Sequence, residues 1–131
     1  MINKDAEEID QELTVKILQN LLDSKQKGVG LPMASTFLRF RNKKVYQIID
    51  QRSYRFLYGE VLVLKSNIEN QIKLYLSYLV DLREKCNELN IPFENADRVL
   101  YLLDKNLNKG VNLKGYGKNT RNFEYGKNRI K

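Results

Sequence analysis

The sequence predicts an all-α fold of about five helices built around a helix-hairpin-helix, with a basic, weakly structured C-terminal tail. Three observations carry this. Apolar residues recur at three- and four-residue spacing in several stretches, the period of helices with one core-facing stripe. Gly28-Val29-Gly30 separates two of these stretches, and Pro32 follows where the first turn of a new helix tolerates a missing N–H. After Asn108 the composition changes to Gly, Asn and Lys with little apolar periodicity. The expected organisation is a helical domain over 1–108, with the helix-hairpin-helix at about 8–41, and a tail over 109–131.

Each element has its own signal. Ile9, Leu13, Ile17, Leu18, Leu21 and Leu22 place a helix at about 6–24. Glycine enters positive φ without a Cβ penalty, so Gly28 and Gly30 are expected to turn the chain there. A second helix at about 31–41 presents Met33, Ala34, Phe37, Leu38 and Phe40. Val45, Tyr46, Ile48 and Ile49 form a short apolar run of strand-like composition, read here as a buried connector because nothing else in the chain offers a partner strand. Asp50 heads a third helix at about 51–58, closed by Gly59. Val61-Leu62-Val63-Leu64 is ambiguous in type. Ser66 and Glu69 have capping-box spacing for a long helix at about 67–90, whose stripe includes Cys86 as core filler. Pro92 breaks it, and a last helix at about 95–107 is expected to bury Val99, Leu100, Leu102 and Leu103.

Composition excludes several classes. The chain has 131 residues, one cysteine and no histidine, so internal disulfides and the commonest general base and metal ligand are ruled out; no metal or cofactor is expected. No stretch is apolar for long enough to span a bilayer. The first ten residues carry Asp5, Glu7, Glu8 and Asp10 rather than the basic start of a signal peptide, and the expected location is cytoplasmic. The net charge of +7 is unevenly placed. Residues 25–55 hold eight bases against one acid and residues 106–131 seven against one, whereas 1–24 and 56–105 are net acidic. A polyanion is the natural partner for that pattern, because each neutralised phosphate releases counterions; a solvated basic surface is the competing reading.

Gly28-Val29-Gly30, Ala34-Ser35, Leu38 and the run from Val45 to Ile49 ending in Asp50 together resemble the helix-hairpin-helix DNA glycosylases of base-excision repair, in particular the endonuclease III branch. Asp50 lies twenty residues after Gly30, and Gln51-Arg52-Ser53-Tyr54-Arg55 looks like the family's Asp-x-His-x-x-Arg continuation with arginine replacing histidine. The resemblance runs from Lys27 to Arg55 and is only topological through Leu107. It implies that the amides of Gly28, Val29 and Gly30, with Lys27, hold DNA phosphates, and that Lys43, Lys44, Arg52 and Arg55 add contacts, as do Arg39 and Arg41. It further implies that a base is flipped from the stack and that Asp50 stabilises the oxocarbenium-like transition state or orients water.

The chain departs from the family in three respects. Pro32 stands where bifunctional members carry the Schiff-base lysine, so any activity is expected to be monofunctional. Only the helix at about 6–24 precedes the hairpin, leaving half of the family's base pocket without a counterpart. The iron–sulfur cysteines are absent. Three readings stay open: a monofunctional glycosylase, a non-enzymatic hairpin module that binds DNA or takes a missing subdomain from a partner chain, and a basic surface for RNA or an acidic protein. Asp50 reads equally as an N-cap, and Arg52 and Arg55 as a salt-bridge face.

Overall fold

The computed structural model describes residues 6–23, 28–64 and 67–108. Among them the protein is all-helical: α1 (Gln11–Leu22), α2 (Leu31–Arg41), α3 (Gln51–Tyr58), α4 (Ile68–Leu89) and α5 (Ala96–Leu107), with a 3-10 turn at Phe93–Asn95 and no strand. The expected tail and Lys27 lie outside the described residues, as does Ser66 of the expected capping box.

Short polar residues set the helix starts. Asp10, Asp50 and Asn67 each accept the backbone N–H three residues on, from Leu13, Ser53 and Asn70 respectively. Asn67 thus caps α4 in place of the expected Ser66, and α1 begins at Gln11 rather than near residue 6. Gly59 closes α3 at φ 76° and Asn90 closes α4 at φ 60°, both left-handed.

The core is one cluster. Leu18 and Leu22 of α1, Leu31, Ala34 and Leu38 of α2, Phe56 and Leu57 of α3, Ile72, Tyr75, Tyr78, Leu79, Leu82 and Cys86 of α4, and Ala96 and Leu100 of α5 meet around Val45, Tyr46 and Ile49. Residues 45–49 are therefore a buried connector, as their composition and lack of a partner strand predict. Such a segment has no ladder to occupy its backbone, and each buried polar group left unmet costs about 1–3 kcal/mol. Side chains meet them. Ile48 N–H donates to Asp97 Oδ2 at 2.8 Å and Ile49 N–H to Ser35 Oγ at 3.0 Å. Tyr75 and Tyr78 hydroxyls donate to the carbonyls of Gln47 and Ile48 at 2.9 and 3.0 Å. The buried Gln47 side chain accepts from Asp97 N–H at 2.9 Å. Gln51 secures Leu62 similarly, donating to its carbonyl at 2.8 Å and accepting its N–H at 3.1 Å.

Two expectations about packing are corrected. Leu102 is exposed, and on α5 the buried positions include the carboxylates Asp97 and Asp104. The hairpin glycines are not at positive φ; among the described glycines only Gly59 is. Gly28 is required by close approach instead. Its N–H donates to Asp23 O at 2.9 Å, and a Cβ there stands 2.6 Å from that oxygen and 2.7 Å from Leu21 O. Gly30, the N-cap of α2 with extended backbone (φ −72°, ψ 163°), has room: a Cβ there meets only Pro32 Cδ at 3.8 Å.

The two glycines therefore separate by mutation. Urea denaturation of Gly28→Ala is expected to show a loss of about 1–3 kcal/mol from overpacking against fixed backbone. Gly30→Ser, which supplies the capping hydroxyl that α2 lacks, is expected to be neutral or stabilising by a few tenths of a kcal/mol, roughly the gap between glycine and serine N-caps.

Candidate functional site

The arginines that follow Asp50 are committed to the interior. Arg55 is fully buried and clamps Asp104 of α5 in a bidentate pair, Nε to Oδ1 at 2.9 Å and Nη2 to Oδ2 at 2.7 Å. Asn108 Nδ2 donates to the same Oδ1 at 2.9 Å. Removing one partner from such a pair strands a buried charge, which typically costs about 3–5 kcal/mol. Arg55 thus joins α3 to α5, with its guanidinium turned to Asp104 and away from solvent. Arg52 is mostly covered, 3.4 Å from Asp104 Oδ2 and over the Tyr101 ring at 5.5 Å from its centroid. Arg39 turns inward too, with Nε 2.9 Å from Asp97 Oδ2 and Nη2 donating to Glu94 O at 3.0 Å.

The hairpin is likewise turned on itself. Gly28 and Val29 N–H groups donate to the carbonyls of Asp23, the C-cap of α1, and Leu21, in its last turn, at 2.9 and 2.8 Å. In this arrangement the two amides, expected from the sequence to face phosphates, satisfy carbonyls at the C-terminal end of α1. Gly30 is exposed at the start of α2.

Exposed positive charge collects at the other end of α2. Arg41, Lys43 and Lys44 are exposed on the last turn of the helix and the turn that follows. Lys43 Nζ lies 3.9 Å from Glu94 in a half-exposed pair, worth little in water. Arg39, Phe40, Arg41, Asn42, Lys43 and Lys44 line a shallow cleft of about 360 Å3. Asn42 shapes the turn: its Oδ1 accepts Lys44 N–H at 3.0 Å and its Nδ2 donates to Ala6 O at 3.0 Å.

Asp50 is both a cap and a wall residue. Its Oδ1 accepts Ser53 N–H at 2.7 Å. It borders one shallow cleft of about 400 Å3 with Ile48, Asp97, Arg98, Tyr101 and Leu102, and another of about 480 Å3 with Pro32, Gln51, Leu62, Val63 and Leu64. Burial pushes its carboxyl above the ordinary range, with the Asp97 charge adding to the rise; hydrogen bonds from Ser53 and the Arg52 backbone oppose it.

Comparison of the chain with family models, with curated proteins and with solved structures finds no significant match. Among the described residues no group of three or more His, Cys, Asp or Glu side chains is placed to hold a metal ion, and no helix is long and apolar enough to cross a membrane.

Sequence reasoning missed Asp97, which is the junction of the site. It binds Ile48 N–H and Arg39 through its carboxylate, Gln47 through its N–H, and Ser53 Oγ through its carbonyl at 3.1 Å. Nothing in the spacing of α5 marks it, because its partners come from α2, α3 and the connector. The outer face of α2 was also missed, although its signal was present: that helix is apolar on two opposite sides.

Asp50 yields a stability prediction. A carboxyl with a raised folded-state pKa binds its proton more tightly when folded than when unfolded. Its contribution to stability is therefore present at low pH and lost as pH rises from the unfolded value through the folded one. Asp50→Asn keeps a capping oxygen and removes that titration, so its stability advantage over wild type is expected to grow from about pH 3 to pH 7 in denaturant titrations. Asp50→Ala loses the cap and is expected to be less stable than Asp50→Asn by about 1 kcal/mol.

Proposed function

We propose that this chain is a DNA-binding module that contacts the phosphate backbone through the basic turn at the end of α2, without chemistry of its own. The observation that carries this reading is the concentration of exposed cations at Arg41, Lys43 and Lys44 in a chain of net charge +7. Lysine and arginine on one turn neutralise neighbouring phosphates and release their counterions, which gives affinity without sequence readout. The inward-facing hairpin amides and the buried Arg55 move the expected contact surface away from the hairpin.

The full chain is expected to bind a fluorescein-labelled duplex with steep salt dependence in anisotropy titrations. Lys43→Glu with Lys44→Glu is expected to reduce the slope of log affinity against log salt by about 2, one for each lost phosphate contact. Gly30→Ser is expected to leave both affinity and slope unchanged, whereas docking through the hairpin requires Gly30→Ser to weaken binding.

A second reading, monofunctional removal of a base, draws on one specific feature. Asp50 borders a cleft of about 400 Å3 and has its carboxyl pushed upward by burial. In that reading Asp50 stabilises positive charge developing on the sugar or orients the attacking water. Release of a damaged or mismatched base by wild type, abolished in Asp50→Asn with duplex affinity retained, is its expected result. Absence of release from every substrate in a panel of oxidised, alkylated, deaminated and mismatched bases rejects it.

A further inference from the structure

One face of α2 is apolar and turned away from the core. Met33, Phe37 and Phe40 recur at i, i+4 and i+7 and are 55%, 49% and 92% exposed. They stand opposite Leu31, Ala34, Ser35 and Leu38, the residues by which α2 packs. A cluster of large apolar side chains left in water in this way marks an interaction surface.

The charge beside it selects the occupant. Arg41, Lys43 and Lys44 are exposed next to Phe40 and line the same shallow cleft of about 360 Å3. Arg39, the remaining base in this stretch, is held inward by Asp97. Glu94 is half-covered beside Lys43, 3.9 Å from its Nζ. Concentrated positive charge opposes a second copy of the same face and favours an anion. Unpaired bases give an anion that also stacks on aromatic rings. Single-stranded nucleic acid offers phosphates to the cations and a π-face to each ring, in a contact that reads no sequence. Phe37 and Phe40, three residues apart on a helix, are surface neighbours at about 5–6 Å between Cβ atoms, so they can receive adjacent bases. A duplex keeps its bases stacked on one another and offers no such faces.

Resting on the reading of the chain as a DNA binder, the geometry points to single-stranded DNA as the preferred ligand, with its bases stacked on Phe40 and Phe37 and its phosphates on Arg41, Lys43 and Lys44. The surface is the outer face of α2, and none of these residues lines either cleft that Asp50 borders.

The experiment uses the full chain with fluorescein-labelled dT15 and a 15-base-pair duplex in anisotropy titrations at two salt concentrations. Wild type is expected to favour dT15. Phe40→Ala is expected to weaken dT15 binding by about 5- to 100-fold, the range for loss of one stacked base, and to leave duplex binding within about twofold. Phe40→Tyr, which keeps a ring, is expected to restore dT15 affinity. Because Phe40 touches so little of the core, circular dichroism of Phe40→Ala is expected to match wild type.

Equal affinity of Phe40→Ala and wild type for dT15, or equal losses on both ligands, overturns the single-strand assignment. If Lys43→Glu with Lys44→Glu still weakens duplex binding in that case, the broader DNA-binding reading stands. No binding of either ligand by wild type overturns both. A wild-type dimer in sedimentation that Phe40→Ala converts to monomer also overturns the assignment, since the face then serves self-association.

Discussion

The connector at residues 45–49 is the constraint on which the structure depends. It runs through the core without a strand beside it, so side chains from three helices must satisfy its backbone. Tyr75 and Tyr78 of α4 reach its carbonyls, while Asp97 of α5 and Ser35 of α2 reach its amides. Each of these hydrogen bonds also fixes the position of the helix that supplies it. Helix packing and connector conformation are thus one problem: shift any of the three helices and a buried peptide group loses its partner.

That arrangement explains why so many polar residues are internal. Asp97 links the connector to Arg39, Gln47 and Ser53, and Asp104 receives Arg55, Arg52 and Asn108. Four arginines within residues 39–55 read in the sequence as one basic surface. In the fold, Arg39 and Arg55 are internal partners of aspartates, Arg52 is mostly covered, and Arg41 is exposed. Burial also raises the Asp50 carboxyl, and the charge of Asp97 adds to the rise.

Separation of structural from exposed charge gives the molecule two unlike regions along α2. At its start, Gly28 and Val29 finish α1 with their amides, making the hairpin a helix-closing device. At its end, three exposed bases sit beside an exposed phenylalanine, and the outer face carries two more large apolar residues back toward the hairpin. The reason is geometric. A helix in a single-layer position can bury only one face, and Leu31, Ala34, Ser35 and Leu38 occupy that face fully.

Local signals were legible in the sequence because their physics is local. The all-α class, the five helices, Asp50 as a cap and Gly59 as a C-cap follow from periodicity and from backbone groups satisfied within one turn. The connector was legible too, since a strand without any partner is excluded by its own unpaired backbone. What the sequence did not carry is which side of each arginine's helix faces another helix. Arg55 is an internal clamp because Asp104, forty-nine residues later, arrives opposite it; Gly28 and Gly30 differ because only Gly28 is pressed against α1. Likewise Met33, Phe37 and Phe40 look like core residues until Leu31, Ala34 and Leu38 are seen to take the core side. Charge and apolarity are properties of residues, but whether they are spent inside or presented outside is decided only when distant elements meet.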